Sequence, residues 1–176
     1  MKEEIIAETS RLLFRKFVPD DAAAFFQLNS DPEVIRHTGD PPFESVETAR
    51  TFIEQYTAYH TWGFGRWAVI EKDTDTFIGF CGLSKNEQDD VDLGYRFFQS
   101  KWGKGYATES AKASLDLGFR TFALPYIVGR SAIANPPSIR VLEKIGMTYW
   151  KHDGCKGIAE AVYYRIDSNT YLDAEK

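Results

Sequence analysis

The run Phe97-Phe98-Gln99-Ser100-Lys101-Trp102-Gly103-Lys104-Gly105-Tyr106-Ala107-Thr108-Glu109 constrains this chain most, because an apolar strand end passes through a small-residue turn directly into a helix. Gly103 and Gly105 let the backbone come close to a ligand, and the helix start offers unpaired N–H groups and the positive end of its dipole. A phosphate or pyrophosphate suits such a place, although a plain strand-to-helix connection has the same letters. Two nucleotide patterns are excluded: a P-loop needs Gly at position 98 and Ser or Thr at 105, and a dinucleotide fingerprint needs Gly at 108. The chain has Phe98, Gly105 and Thr108 there.

The period of the apolar residues changes along the chain. Arg11–Phe17 reads as a strand, and Pro19-Asp20-Asp21 starts a helix with Ala24, Phe25 and Leu28 on one face. An irregular segment around Arg36-His37-Thr38 leads to a second helix from Ser45 and Glu47 toward Tyr59. Arg66–Glu71, Phe77–Leu83 and Val91–Phe98, on short polar turns, form an antiparallel meander. Ala107, Ala111, Leu115, Phe119 and Phe122 then make one helical stripe that Pro125 stops. Tyr126–Gly129 is a short buried strand, parallel to the Val91 strand if the helix between them is a right-handed crossover. Asn135-Pro136-Pro137-Ser138 starts a helix that Gly146 ends, and Met147–Lys151 with Ala161–Ile166 closes a hairpin around Gly154. The expected fold is α/β in the order β-α-α-β-β-β-α-β-α-β-β, a mixed, mostly antiparallel sheet of about seven strands with helices on both faces. No linker or repeat divides residues 1–176, which are expected to form one domain.

Composition narrows the function classes. The 176 residues are 43% hydrophobic, enough for one core, and the longest apolar runs are far too short to span a membrane. Met1-Lys2-Glu3-Glu4 has no signal-like apolar segment behind it, so the expected location is cytoplasmic. A formal charge of −5 argues against nucleic acid as a partner and mildly favours a cationic substrate. Cys81 and Cys155 are expected to be free thiols, and His37, His60 and His152 have no metal-binding spacing. Trp62, Phe64 and Trp67 read as core or groove wall.

Three stretches together resemble the GCN5-related N-acetyltransferases: Val91-Asp92-Leu93-Gly94-Tyr95-Arg96, then Trp102 to Glu109, then Asn135-Pro136-Pro137-Ser138-Ile139-Arg140-Val141-Leu142-Glu143-Lys144-Ile145-Gly146-Met147. The likeness is nearest to the ribosomal-protein N-terminal acetyltransferase-like branch, named for the Rim enzymes. It implies acetyl-CoA as co-substrate, no metal, and a primary amine as acceptor, on a protein N-terminus or a small molecule. A homodimer is compatible with it, as is a module that binds acyl-CoA without turnover. The amides of Gly103, Lys104, Gly105, Tyr106, Ala107 and Thr108 would cradle the pyrophosphate, and the pantetheine arm would pair with main chain near Tyr95 and Phe97.

The Lys104 side chain either adds charge there or is merely solvated. Trp102 stands where many members have Arg or Gln. Leu142 stands where many have the tyrosine that protonates the leaving thiolate; the resemblance offers Ser138 instead, which equally suits a capping serine. Asp92 matches the family's acidic position on the central strand and would be the base, acting through a water; with Asp89 and Asp90 nearby it also reads as a surface acid. Asn135 would both cap its helix and bond the pantetheine. His37 falls in the acceptor segment and is expected to contact substrate.

Overall fold

The computed structural model describes residues 4–174. Eight strands build one sheet: β1 (Ile5–Glu8), β2 (Leu12–Arg15), β3 (Arg66–Glu71), β4 (Thr76–Lys85), β5 (Val91–Phe97), β6 (Tyr126–Ala132), β7 (Thr148–Cys155) and β8 (Ile158–Asp167). Their spatial order is β1-β2-β3-β4-β5-β6-β8-β7. Every neighbouring pair is antiparallel except β5 and β6, which are parallel as the intervening helix requires. The helices are α1 (Ala22–Ser30), α2 (Pro32–Ile35), α3 (Val46–Glu54), α4 (Ala58–Thr61), α5 (Tyr106–Asp116), α6 (Pro136–Lys144) and α7 (Ser168–Ala174).

Helices cover both faces because β4 is apolar on both. Phe80 and Cys81, successive on β4, point to opposite sides. Phe80 joins Phe25, Ala49 and Ile53 under α1 and α3, whereas Cys81 joins Leu93, Ala111, Leu115 and Leu142 under α5 and α6. Trp67 and Phe64 are buried in the second cluster and Trp62 lies at its margin. Ser45 caps α3 by accepting from the Thr48 N–H at 3.1 Å, and Asn135 caps α6 by accepting from the Ser138 N–H at 3.4 Å.

Several boundaries differ from the sequence reading. The sheet has eight strands rather than seven, since Ile5–Glu8 adds an edge strand pairing with β2. The helix toward Tyr59 breaks after Glu54 and resumes as α4. The Ala107 to Phe122 stripe is not one α-helix, because residues 117–121 widen into a π-turn in which the Phe122 N–H reaches Leu117 O at 3.0 Å. The last hairpin turns at Lys156-Gly157, with Gly154 inside β7. Gly157 has φ +73° and lies against the backbone of Gly39, itself at φ +72°; a Cβ on Gly157 would stand 2.4 Å from Gly39 O. Only residues without side chains allow this approach, which joins the hairpin tip to the segment after α2.

Candidate active site

β5 and β6 pair at only two positions, Asp92 with Val128 and Leu93 with Gly129, and then part. Phe98 donates its N–H to Ile78 O at 3.2 Å, so the ladder's alternation turns the main-chain groups of Tyr95 and Phe97 away from β4 and into the gap. One of them, Phe97 O, is taken by the Trp102 indole N–H at 2.8 Å. The gap widens into a cleft of about 590 Å³ between β5, the loop before α5, α6 and residues 33–38. Among the predicted residues, Tyr95, Phe97, Gly103, Gly105, Tyr106, Ala107, Thr108, Asn135, Ser138 and His37 line it. Lys104 and Asp92 are not in its wall.

At one end the chain leaves Gly103 with φ +70° and Gly105 with φ +82°, and Gly105 caps α5 without a side-chain bond. The first N–H groups of α5, from Tyr106 to Thr108, therefore have no capping partner. Residues far away in sequence hold this loop in place. Arg11 donates to Lys104 O at 2.9 Å and to Glu109 at 2.7 Å, and its guanidinium lies over the Tyr106 ring at 4.4 Å. Thr9 adds a 2.6 Å bond to Glu109. From below, Glu71 accepts from Lys101 at 2.6 Å, from Thr74 at 2.8 Å and from the Tyr106 hydroxyl. Led by the Lys101 bond, these donors hold the Glu71 carboxyl down at about 2.

Midway along the cleft the Tyr95 hydroxyl lies 2.9 Å from Ser138 O and 3.1 Å from Ser138 Oγ. Burial pushes the Tyr95 phenol up, so it stays protonated. Asn135 does the capping of α6, which leaves the Ser138 hydroxyl to Tyr95 and the cleft. The Tyr95 side chain was not anticipated as a participant; only its backbone was.

Asp92 lies on the other side of β5. It is 6% exposed, so it is no surface acid. Its Oδ2 accepts from Arg130 at 2.9 Å and faces Arg66 at 3.5 Å, whereas Oδ1 is buried with no hydrogen-bond partner among the described residues. Arg130 continues to Glu87 at 2.7 Å. Arg66 reaches Asp92 by lying across Gly82 and Gly94, neighbours in register; a Cβ on Gly94 would meet its guanidinium at 2.5 Å. Burial raises the Asp92 carboxyl, against the opposing pull of Arg66 and Arg130. Beyond, an open groove between residues 35–41 and 157–160 is lined by Arg36, His37, Asp40 and Glu160. His37 thus borders both spaces.

A strand pair that splays beside a glycine turn and an uncapped helix start is the arrangement the sequence resemblance implied. The acetyltransferase (GNAT) domain family matches residues 11–148 of this chain. The chain belongs to the GNAT acetyltransferase family. It is similar to the uncharacterized N-acetyltransferase p20 of Bacillus licheniformis, 34% identical over 140 residues that cover 78% of this chain and 79% of that one. A GNAT-family acetyltransferase from Bacillus anthracis is 30% identical with a TM-score of 0.78, over 94% of this chain and 98% of that one. Spermidine N-acetyltransferase from Vibrio cholerae, solved with CoA and spermine, shares the fold at a TM-score of 0.80 and 19% identity, over 93% and 99% of the two chains.

Acetyl-CoA is the co-substrate of a GNAT enzyme, and the residues present fit it. Uncapped amides face the cleft at one end, and along it the strand-edge groups of Tyr95 and the N–H of Phe97 are available for the arm. No group of His, Cys, Asp and Glu that could hold a metal occurs among the described residues, and no described helix is long and apolar enough to cross a membrane.

Proposed function

We propose that this acetyltransferase is an N-acetyltransferase of the Rim-like branch, moving an acetyl group to a primary amine on a peptide N-terminus or a small molecule in a ternary complex. The observation that carries the reading is the Ser138 hydroxyl held by Tyr95 beside the splay of β5 and β6, with the buried, half-unpaired Asp92 on the opposite face. Bound acetyl-CoA supplies an activated acyl group and a thiolate leaving group.

The chain's own residues supply position and protons. The amides from Gly103 to Thr108 hold the phosphates, while Tyr95, Phe97 and Asn135 fix the arm so that the thioester end reaches Ser138. Tyr95 gives its one hydrogen to Ser138 O, so across the 3.1 Å contact Ser138 Oγ is the donor, and on turning from Tyr95 it offers that hydrogen to the departing sulfur. Asp92 Oδ1 has a lone pair to accept the amine's proton through a water. The Arg66 and Arg130 contacts fix its orientation, and its raised pKa makes it a better proton acceptor than an exposed aspartate. The two groups act from opposite faces, so the amine enters from the groove beside His37 and meets the acyl carbon through the gap. Cys81 and Cys155, both free thiols, accord with a cytoplasmic enzyme.

Thiol release from acetyl-CoA across a panel of peptides and small amines tests the reading. Release stimulated by a primary amine, with the acetyl group recovered on nitrogen, is expected. Tight acetyl-CoA binding with no stimulated release across the panel would overturn it.

A further inference from the structure

The cleft of this acidic chain is lined by five cations: Arg36, Arg96, Lys101, Arg140 and Lys144. Three are already neutralised. Arg36 faces Glu33 at 3.5 Å, Arg96 pairs with Asp40 at 2.6 Å, and Lys101 pairs with Glu71 at 2.6 Å. Arg140 and Lys144 have no acidic partner among the described residues. They stand four residues apart on α6, on its cleft side and exposed. The adjacent acid, Glu143, is engaged elsewhere, accepting from the Tyr164 hydroxyl at 3.1 Å. Like charges one helical turn apart repel. The helix dipole favours Lys144 at the C-terminus but gives no account of Arg140 in the turn before.

CoA carries two anionic groups at its nucleotide end, the pyrophosphate and the ribose 3′-phosphate. The uncapped amides of α5 serve the first. We infer that Arg140 and Lys144 form the subsite for the 3′-phosphate, so that the enzyme distinguishes CoA from 3′-dephospho-CoA by charge on α6 rather than by the glycine turn. The inference rests on the cofactor cleft proposed above. A phosphate monoester carries between one and two negative charges near neutral pH, and an arginine fork with a neighbouring lysine matches its oxygens. Both side chains are exposed, so salt weakens the contact.

The test is calorimetric titration of wild type and an Arg140→Ala/Lys144→Ala double variant with CoA and with 3′-dephospho-CoA at low salt. Circular dichroism confirms that the variant is folded, as expected for two exposed substitutions. Wild type is expected to bind CoA about tenfold more tightly than dephospho-CoA, in the range of a solvent-discounted charge-assisted contact. The variant should bind dephospho-CoA as wild type does and lose the preference for CoA. Equal affinity of wild type for both ligands overturns the subsite, and so does a parallel loss for both in the variant, which would assign these cations to the pyrophosphate. Failure of wild type to bind either ligand would refute the cleft assignment itself.

Discussion

Ser138 and Asp92 have different partners, and their substitutions should fail differently. Ser138→Ala removes a hydroxyl that takes no part in capping, since Asn135 caps α6, so its melting temperature should stay near wild type. Its kcat should fall about ten- to a thousandfold with little change in acetyl-CoA affinity, as for loss of a general acid. A wild-type kcat would remove Ser138 from the chemistry. Asp92 must be ionised to accept a proton, and burial has raised its carboxyl, so kcat/KM should rise with pH along a limb above the ordinary aspartate range. Asp92→Asn should remove that limb and recover activity at high pH, where the amine loses its proton unaided. An unchanged pH profile would exclude Asp92 as the base. Removing a carboxylate from between Arg66 and Arg130 also leaves two half-buried guanidinium groups short of a partner, so this variant should be less stable, and its profile must be measured below its melting transition.

Between elements, two joints set the site: the Gly39–Gly157 contact at the groove proposed for the acceptor, and the Arg11 and Glu71 grips on the loop before α5. Gly157→Ala places a methyl against Gly39 O in a backbone conformation alanine disfavours, so the hairpin tip must move. The KM for the amine should change several-fold while CoA affinity holds; an equal change in both would mean the tip does not border the acceptor. Glu71 tests the other joint by pH. Its folded pKa of about 2 lies below its ordinary 4.5, so its stabilisation is present above pH 4.5 and is lost as pH falls toward 2. Thermal melts across that window should show wild type losing stability more steeply than Glu71→Gln, and parallel slopes would contradict the grip. Much of this framework was legible in the letters. β5, the glycine turn, α5 and α6 stand out because the apolar period changes at Gly103–Gly105 and Asn135-Pro136 marks a helix start. β1 escaped because a four-residue edge strand, with only Ile5-Ile6-Ala7 between Glu4 and Glu8, carries almost no alternation, and the π-turn keeps a helical stripe while changing its bonding. The partners of Asp92 and Glu109 could not be read at all: Arg130 lies 38 residues from Asp92, and Arg11 lies 98 from Glu109. Only the sheet order brings them together.

For the whole molecule, the sheet serves as a frame whose parallel seam between β5 and β6 opens a slot, to which the proposed function assigns phosphate recognition at one end, proton transfer midway and acceptor entry on the far face. A ligand that seats in this slot binds only the native state, so CoA at about a hundred times its Kd should raise the melting temperature by about 5–10 °C for a protein this size. The most direct test of the account is that shift in wild type and in Gly105→Glu, with folding of the variant verified by circular dichroism. Glutamate there sets bulk and negative charge against the uncapped amides of α5. The account predicts a clear CoA-induced rise in wild type and none in the folded variant; a folded Gly105→Glu protein that responds to CoA as wild type does would contradict it.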